Sequence, residues 1–290
     1  MHTTASNFTA SELEKKIYTR NYGVLDEHEQ VLLKNARVTV VGAGGVGGVT
    51  LLSLARMGVG SIHVIDMDTF EYSNLNRQML SSIPKINHKK AQVAKDAIYD
   101  INPNINVTVS DEYLKLDNAV SLLSNTDIIV DATDNLLSRV IIHRTAQELK
   151  IPSVWIAVTP PFRGAVMVFS DKTPAYELVL SHPSYNKELT EDVIQEILEI
   201  KNQRAIHSVQ HGALTNWAND FVDKNAPWAV ICPVANIVGI IASFEVLKLI
   251  IKRKNLAVTF APNLVKIDLS QTVMMQVETP EHGVWDNATL

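Results

Sequence analysis

A glycine-rich stretch directly after a β-branched run constrains the fold of this chain more than any other feature. The run Ala36–Val41 is short and apolar, as is typical of a buried parallel strand, and the stretch 42–47 (Gly-Ala-Gly-Gly-Val-Gly) follows it. Val49–Met57 then has helical spacing. A strand, a G-x-G-x-x-G loop and a helix in this order predict a phosphate site, because the glycines admit phosphate close to the backbone at a helix N-terminus.

Strands and helices continue to alternate along the first 170 residues. Further strands are predicted at 61–65, 107–109, 127–131 and 153–157, and further helices at 89–100 and 138–150. This alternation predicts an α/β fold, Rossmann-like, with a doubly wound and mostly parallel sheet. We therefore divide this part of the chain into an N-terminal helical segment, 1–35, and a nucleotide-binding α/β core, 36–170.

The alternation stops beyond residue 170. Residues 171–229 are interpreted as a crossover insertion that covers the substrate, although a surface excursion that adds stability or a dimer contact is an open alternative. Within it, Thr190 is predicted to cap a helix. Residues 230–290 are predicted to form a core helix, 234–251, and a β-rich C-terminal extension. The strands of this extension are predicted at 257–260, 264–269 and 272–277.

Composition excludes several classes of protein. The net charge is −5 and no basic run is present, which argues against a nucleic-acid partner. The chain has one cysteine, Cys232, too few for an internal disulfide or a four-cysteine zinc site, and the cytoplasm is the predicted compartment. Polar residues interrupt the apolar segment 234–251, which favours a core helix over a membrane span.

Polar side chains follow the predicted strands of the core. Because the carboxyl ends of the strands line one crevice in such a sheet, we expect these side chains to face one ligand. Arginine and lysine neutralise a polyphosphate and a carboxylate can hold Mg²⁺, so the set suits ATP better than a nicotinamide cofactor. The residues in question are Asp66, Asp68, Asn74, Arg77, Lys90 and Asp134.

On its motifs the chain resembles the ubiquitin-activating-enzyme-like superfamily. This superfamily includes the ThiF and MoeB adenylyltransferases and the maturation enzymes of microcin- and pantocin-type peptide antibiotics. The motifs are RNY at 20–22, GAGGVGG at 42–48, DMD at 66–68, SNLNRQ at 73–78, lysine at 90 and DATDN at 131–135. The resemblance implies that the chain is an enzyme that uses ATP and Mg²⁺ to adenylate a carboxylate and releases pyrophosphate.

The resemblance also implies roles for individual residues. Asp134 would hold Mg²⁺, and Arg20 would reach the ATP of the other subunit in a homodimer. The remaining residues would bind the nucleotide: Gly42, Gly44, Gly45 and Gly47 would line it, Asp66 would bind the ribose, Asp68 would be a further binding residue, and Asn74, Arg77 and Lys90 would contact the phosphates. The predicted catalytic residues are Arg20, Arg77, Lys90 and Asp134. Lys89 is an alternative to Lys90, although the spacing from Arg77 favours Lys90.

The sequence departs from the family pattern at its cysteines. Many bacterial members hold zinc with two C-x-x-C pairs, but residues 175–178 and the tail 281–290 contain no cysteine, so no zinc site is predicted. Cys232 would be the only candidate for a thioester, and its apolar surroundings favour a packing role. Trp217 and Trp228 are predicted to be core residues.

Three functions follow as hypotheses. The first is adenylation of a peptide carboxylate in ribosomal-peptide natural-product maturation, without a catalytic cysteine. The second is activation of the C-terminal glycine of a ubiquitin-like sulfur carrier for thiamin- or molybdopterin-type sulfur transfer. The third is a NAD(P)-dependent oxidoreductase, which would leave Arg77, Lys90 and Asp134 without a role. A non-catalytic scaffold is a further alternative that the intact nucleotide residues disfavour.

Overall fold

The structure is a computed structural model that describes residues 8–290. It contains an eight-stranded sheet with helices packed on both faces. The strands are β1 (Arg37–Val41), β2 (Ser61–Ile65), β3 (Asn106–Ser110), β4 (Ile128–Asp131), β5 (Ser153–Thr159), β6 (Arg163–Phe169), β7 (Leu264–Asp268) and β8 (Met275–Glu278). The helices are α1 (Ala10–Ile17), α2 (Glu27–Asn35), α3 (Gly45–Met57), α4 (Lys90–Ile101), α5 (Ala119–Leu123), α6 (Leu136–Glu148), α7 (Tyr176–Val179), α8 (Glu191–Ser208), α9 (Thr215–Val222) and α10 (Cys232–Ile251).

The first five strands form the parallel half of the sheet. The strand order across the whole sheet is β3-β2-β1-β4-β5-β6-β7-β8, and every pairing from β3 to β5 is parallel. β1 therefore lies between β2 and β4, so the chain crosses to opposite sides of β1 and leaves a crevice at its carboxyl end. The predicted doubly wound, mostly parallel α/β fold is confirmed.

The C-terminal strands extend the same sheet. β6, β7 and β8 add to the edge of β5 in antiparallel pairs, so the β-rich extension continues the core. The strand predicted at 257–260 is wrong, since only an isolated bridge joins Phe260 to Val168. The strand does not form because a side chain of α10 binds this segment. Glu245 accepts hydrogen bonds from the backbone N–H and the hydroxyl of Thr259, at 3.0 and 2.9 Å. That N–H is therefore not available to a neighbouring strand.

The apolar helix α10 is packed into the core. By length and composition it is the helix of the described chain that qualifies as a membrane span, but most of it is buried. It lies across α3 so closely that a Cβ on Gly239 would come within 2.3 Å of Val49 Cγ1 and 2.6 Å of the Val46 carbonyl oxygen. The prediction of a buried core helix agrees with this packing.

An ion pair ties α2 to the end of α10. The Arg253 guanidinium donates to both oxygens of Glu29, with 2.7 Å from Nε to Oε1. Glu29 also accepts the backbone N–H of Asp26 as part of the capping box of α2. These hydrogen bonds, chiefly that of Arg253, lower the pKa of Glu29 from 4.5 to about 2.

The Glu29 ion pair makes stability depend on pH in a defined window. Because the folded-state pKa is lowered from 4.5 to about 2, the ionised carboxylate stabilises the fold above pH 4.5, and this contribution is lost as the pH falls towards 2. We expect Glu29→Gln to lower the melting temperature near neutral pH, and the difference from wild type to shrink below pH 4.5. Thermal unfolding measured across this pH range checks the prediction, with the variant Glu27→Gln, at an exposed glutamate of the same helix, as the control. A difference that stays constant down to about pH 3 contradicts the assignment.

Candidate nucleotide-binding site

A cleft of about 840 Å³ opens at the carboxyl ends of β1, β2, β4 and β5. The glycine loop and the start of α4 form part of its wall, and α8 and the segment before α10 close it from another side. The lining therefore combines the α/β core with the insertion 171–229. The charged and amide side chains that line it are Asp66, Asp68, Glu71, Asn74, Arg77, Gln78, Lys90, Glu112, Asp134, Asn135, Arg139, Lys201 and Arg204.

The glycine loop needs glycine for two different reasons. Gly42 has a positive φ of +99°, and a Cβ there would lie 2.6 Å from the Ala132 carbonyl oxygen. A Cβ on Gly47 would lie 1.8 Å from the Gly42 carbonyl oxygen, so Gly47 packs beneath the loop and does not line the cleft. Gly44 and Gly45 do line it, and Gly44 is the N-cap of α3. The first N–H groups of a helix have no acceptor within the helix and are available to an anion.

Asp66 is fixed at the end of β2. Its carboxylate accepts the Ala43 N–H at 2.6 Å and the Asp68 N–H at 2.9 Å, which ties the β2 turn to the glycine loop. Burial raises the pKa of Asp66, although both N–H groups and the charge of Lys90 act in the opposite direction. The side chain predicted to contact the ribose is thus held on the cleft wall beside the loop.

Lys90, and not Lys89, reaches the cleft. Its ammonium lies 3.0 Å from the Asp68 carboxylate, and its side chain is only 9% exposed. Lys89 instead donates to the Met67 carbonyl at 2.9 Å and does not line the cleft. The first residue of α4 therefore places a buried cation at the site, where Asp68 balances it.

The SNLNRQ segment places an amide and a guanidinium in the cleft. Asn74 is buried at the end of a 3₁₀ turn and accepts the Glu71 N–H. Arg77 donates to the Ser73 carbonyl and to Asn76 Oδ1, both at 2.9 Å, and pairs with no carboxylate of residues 8–290. Its charge is therefore available to an anionic ligand. Gln78 was not predicted as a site residue, yet it lines the cleft with its buried Oε1 unpartnered.

The loop after β4 holds one carboxylate inside and exposes another. Asp131 is fully buried and lies 3.1 Å from His143 Nε2 and 3.7 Å from Arg139 Nε. Arg139 also donates to the Thr133 carbonyl at 3.0 and 2.6 Å, which fixes the turn. Asp134 projects from this turn into the cleft, and it is exposed.

The residues present fit ATP and Mg²⁺. In the part of the chain that the structure describes, no group of three or more His, Cys, Asp or Glu side chains is placed to hold a metal ion. Mg²⁺ does not require such a group, because it commonly binds through one or two carboxylates together with substrate phosphates. Asp134 supplies a carboxylate, Arg77 and Lys90 supply cations, and the loop of Gly44 supplies N–H groups.

Besides Gly47 and Lys89, two further residues singled out in the sequence lie outside the cleft. Arg20 is exposed in a short 3₁₀ turn before α2, so it does not reach the nucleotide site of its own chain. Cys232 begins α10 and is half-buried. Asn236 Nδ2 donates to its carbonyl at 2.7 Å and lies 3.2 Å from its Sγ, and the thiol does not line the cleft.

The insertion contributes site residues that were not predicted. Lys201 and Arg204 lie one turn apart on α8, the helix that Thr190 caps as predicted. Trp228 was predicted to be core, but it is half-buried on the cleft wall, where its indole N–H donates to the Val158 carbonyl at 3.1 Å. The sequence signal for these two residues is their i, i+3 spacing, which places both cations on one face of α8. Spacing alone does not show which part of the protein that face packs against.

Comparison with known proteins gives relatives that are named as adenylyltransferases. The probable adenylyltransferase/sulfurtransferase MoeZ of Mycobacterium tuberculosis is 42% identical over 145 residues, which are 50% of this chain and 37% of MoeZ. The sulfur carrier protein adenylyltransferase of Thermus thermophilus is 37% identical over 160 residues, which are 53% of this chain and 59% of that protein. The matches thus cover less than two thirds of either relative.

A solved structure shares the fold across nearly the whole chain. The structure of E. coli MccB with ATP superposes with a TM-score of 0.68 at 20% identity, and the match covers 96% of this chain and 72% of MccB. The family model of ThiF matches residues 18–284, which include the glycine loop, the charged cleft and the insertion. The chain belongs to the ThiF family.

Proposed function

We propose that this protein adenylates a carboxylate on a peptide or small protein, forming an acyl adenylate from ATP with release of pyrophosphate. The observation that carries the proposal is the composition of the cleft. A fixed carboxylate at the ribose position, Asp66, and free N–H groups at the start of α3 stand beside the cations Arg77 and Lys90. Asp134 is the exposed carboxylate that would hold Mg²⁺.

The chemistry needs little from the protein beyond positioning and charge. A carboxylate oxygen attacks the α-phosphorus, the new O–P bond forms, and the bond to the β-phosphate oxygen breaks, so its electron pair leaves with pyrophosphate. No general base is required, since the attacking carboxylate is ionised at neutral pH. Arg77 and Lys90 stabilise the charge that develops on phosphate oxygens. Mg²⁺ held by Asp134 would neutralise charge on the phosphates.

For the substrate we favour a peptide over a sulfur carrier. The crystal structures of MccB include one with MccA, whereas the Thermus relative acts as a sulfur carrier protein adenylyltransferase. The insertion 171–229 supports the peptide alternative, because Lys201, Arg204 and Trp228 of this segment line the cleft and could contact a specialised substrate. We place the reaction in the cytoplasm and propose neither a nucleic-acid nor a membrane partner.

Product analysis tests this function. The protein is incubated with ATP, Mg²⁺ and either a short peptide or a ubiquitin-like protein ending in Gly-Gly, both taken from reading frames that neighbour its own. Mass spectrometry of the products should show pyrophosphate and a peptide heavier by one adenylyl group, with AMP in its place once a nucleophile captures the acyl adenylate. Consumption of the Gly-Gly protein would favour sulfur-carrier activation. Binding of NAD(P)H without ATP turnover would contradict the proposal and favour an oxidoreductase.

Adenylation in this protein should not depend on its cysteine. Because the thiol of Cys232 does not line the cleft, we expect Cys232→Ala to retain both ATP–pyrophosphate exchange and product formation. The measurement is the rate of each reaction beside wild type, with the melting temperature as the control for folding. A folded variant that loses both reactions would assign Cys232 a chemical role.

We further propose that the active form is a homodimer, in which Arg20 reaches the ATP of the partner subunit. Arg20 is exposed and outside its own cleft. On α10, Ile237, Ile240 and Phe244 are 36%, 50% and 41% exposed and recur three and four residues apart, which gives the helix an outward apolar face. A second copy of the chain would bury this face.

The dimer should depend on the outward face of α10. We expect Ile240→Glu to convert the protein to a monomer, since burying an unpaired carboxylate in an apolar interface is unfavourable. Light scattering after size-exclusion chromatography measures the mass. Leu116→Glu, at an apolar side chain 63% exposed elsewhere, is the matched control. If Ile240→Glu stays dimeric, α10 is not the interface.

A further inference from the structure

Helix α8 brings cations to the cleft from outside the nucleotide-binding core. Lys201 and Arg204 both line the cleft, and Arg139 of α6 lies on the same side, because α8 packs against α6. Asp134 is the acidic group whose charge acts on Lys201. Asp131, buried behind this wall, lies 3.7 Å from Arg139, so three cations stand against two carboxylates and the wall keeps one positive charge in excess.

The two arginines of this wall already have partners. Arg139 donates to the Thr133 carbonyl and pairs with Asp131, and buried Arg204 donates to the Asn287 carbonyl at 2.8 Å and to the Asn287 side chain. Lys201 has no hydrogen-bond or ion-pair partner among residues 8–290, and burial and the neighbouring arginines lower its pKa. Lys201 is therefore half-buried beside two fixed guanidinium groups, and its ammonium has free hydrogen-bond donors among the described residues. Such a site is suited to bind an anion.

We propose that Lys201, flanked by Arg139 and Arg204, binds the carboxylate that the enzyme activates. This inference rests on the proposed adenylation. The attacking carboxylate must lie beside the α-phosphate, and two anions repel each other at that distance unless a cation separates them. Arg77 and Lys90 belong to the SNLNRQ segment and to α4, whereas Lys201 enters the cleft from α8 of the insertion.

In the reaction Lys201 keeps its proton. One carboxylate oxygen forms the bond to the α-phosphorus, and the other becomes the carbonyl oxygen of the acyl adenylate while it still accepts a hydrogen bond from the ammonium. Lys201 is thus a substrate-binding residue. Because Lys201 belongs to the insertion 171–229, the segment that lines the cleft outside the α/β core would also position the substrate.

Three nucleotide probes separate carboxylate binding from phosphate binding. The probes are ATP, AMP and 5′-O-(N-acetylsulfamoyl)adenosine, which carries an acyl carbonyl next to a sulfamate that stands in for the α-phosphate. Calorimetry measures their affinities for wild type, Lys201→Gln and Lys201→Arg. Lys187→Gln, an exposed lysine of the same insertion, is the matched control.

We expect Lys201→Gln to weaken the acylsulfamate about tenfold, which is the size of one charged hydrogen bond, and to leave ATP and AMP within about twofold. Lys201→Arg should restore most of the loss. Equal weakening of all three probes would assign Lys201 to the phosphates, and no weakening would remove it from the site, so either result overturns the inference. If the wild-type protein does not bind ATP, the proposed adenylation itself is contradicted. If it binds ATP but the Lys201 variants behave as in either of these two results, only the role of Lys201 is contradicted.

Discussion

Replacing Asp134 with asparagine is expected to slow adenylate formation by roughly two to three orders of magnitude, about 3–4 kcal/mol of transition-state stabilisation. The physical reason is that Asp134, in the loop after β4, supplies the exposed carboxylate of the cleft that would hold Mg²⁺. If Asp134 holds Mg²⁺ as proposed, removing its charge weakens Mg²⁺ binding when ATP is present. The loss should appear as a reduced rate of ATP–pyrophosphate exchange and as ATP binding that no longer depends on Mg²⁺.

The same substitution should leave the fold intact. Asp134 is exposed, and the turn that carries it is held by Asp131 and Arg139. We therefore expect an unchanged melting temperature. Asp171→Asn, an exposed aspartate outside the cleft, is the matched control and should keep full activity. An Asp134→Asn protein with wild-type exchange would show that Mg²⁺ is held elsewhere.

Gly47→Ala should have the largest effect on the nucleotide loop. The new Cβ would lie 1.8 Å from the Gly42 carbonyl oxygen, which is backbone and cannot rotate away. The loop must therefore separate from α3, at a cost of about 3 kcal/mol or more. We expect the melting temperature to fall by several degrees and ATP binding to be lost. Differential scanning calorimetry and a nucleotide titration measure the two effects.

A second glycine provides the control for backbone strain alone. Gly212 has a positive φ of +93°, and a Cβ there would meet nothing within 4 Å. Gly212→Ala should lower stability by only about 1 kcal/mol and should bind ATP normally. If Gly47→Ala melts and binds ATP as the Gly212 variant does, the close packing of the loop on α3 is not required for the site.

The parallel half of the sheet was predictable because local pattern and tertiary role agree there. β1 and β4 are buried on both faces and contain β-branched residues, and a glycine loop or a polar turn follows each of them. The strand predicted at 257–260 failed because a distant side chain decides its hydrogen bonding. Glu245 of α10 accepts the Thr259 N–H. Glu245 lies 14 residues before Thr259, so the pattern of the four residues 257–260 does not include it.

The site residues divide in the same way. Asp66, Arg77, Lys90 and Asp134 follow strands or begin a helix, so the topology of the sheet brings them to one crevice. Lys201 could not be placed from sequence, because its position depends on how α8 packs against α6. The predicted role of Arg20 depends on a second subunit and not on the fold of one chain. Its exposed position outside the cleft leaves its predicted role to a second subunit.

Isotope exchange between pyrophosphate and ATP tests the central claim most directly. The protein is mixed with unlabelled ATP, Mg²⁺, radiolabelled pyrophosphate and the carboxylate substrate. Reversible adenylation predicts label in ATP that requires the carboxylate and falls roughly a hundredfold or more in Asp134→Asn. Incorporation that does not require a carboxylate, or ATP cleaved only to ADP and phosphate, would contradict adenylation at this cleft.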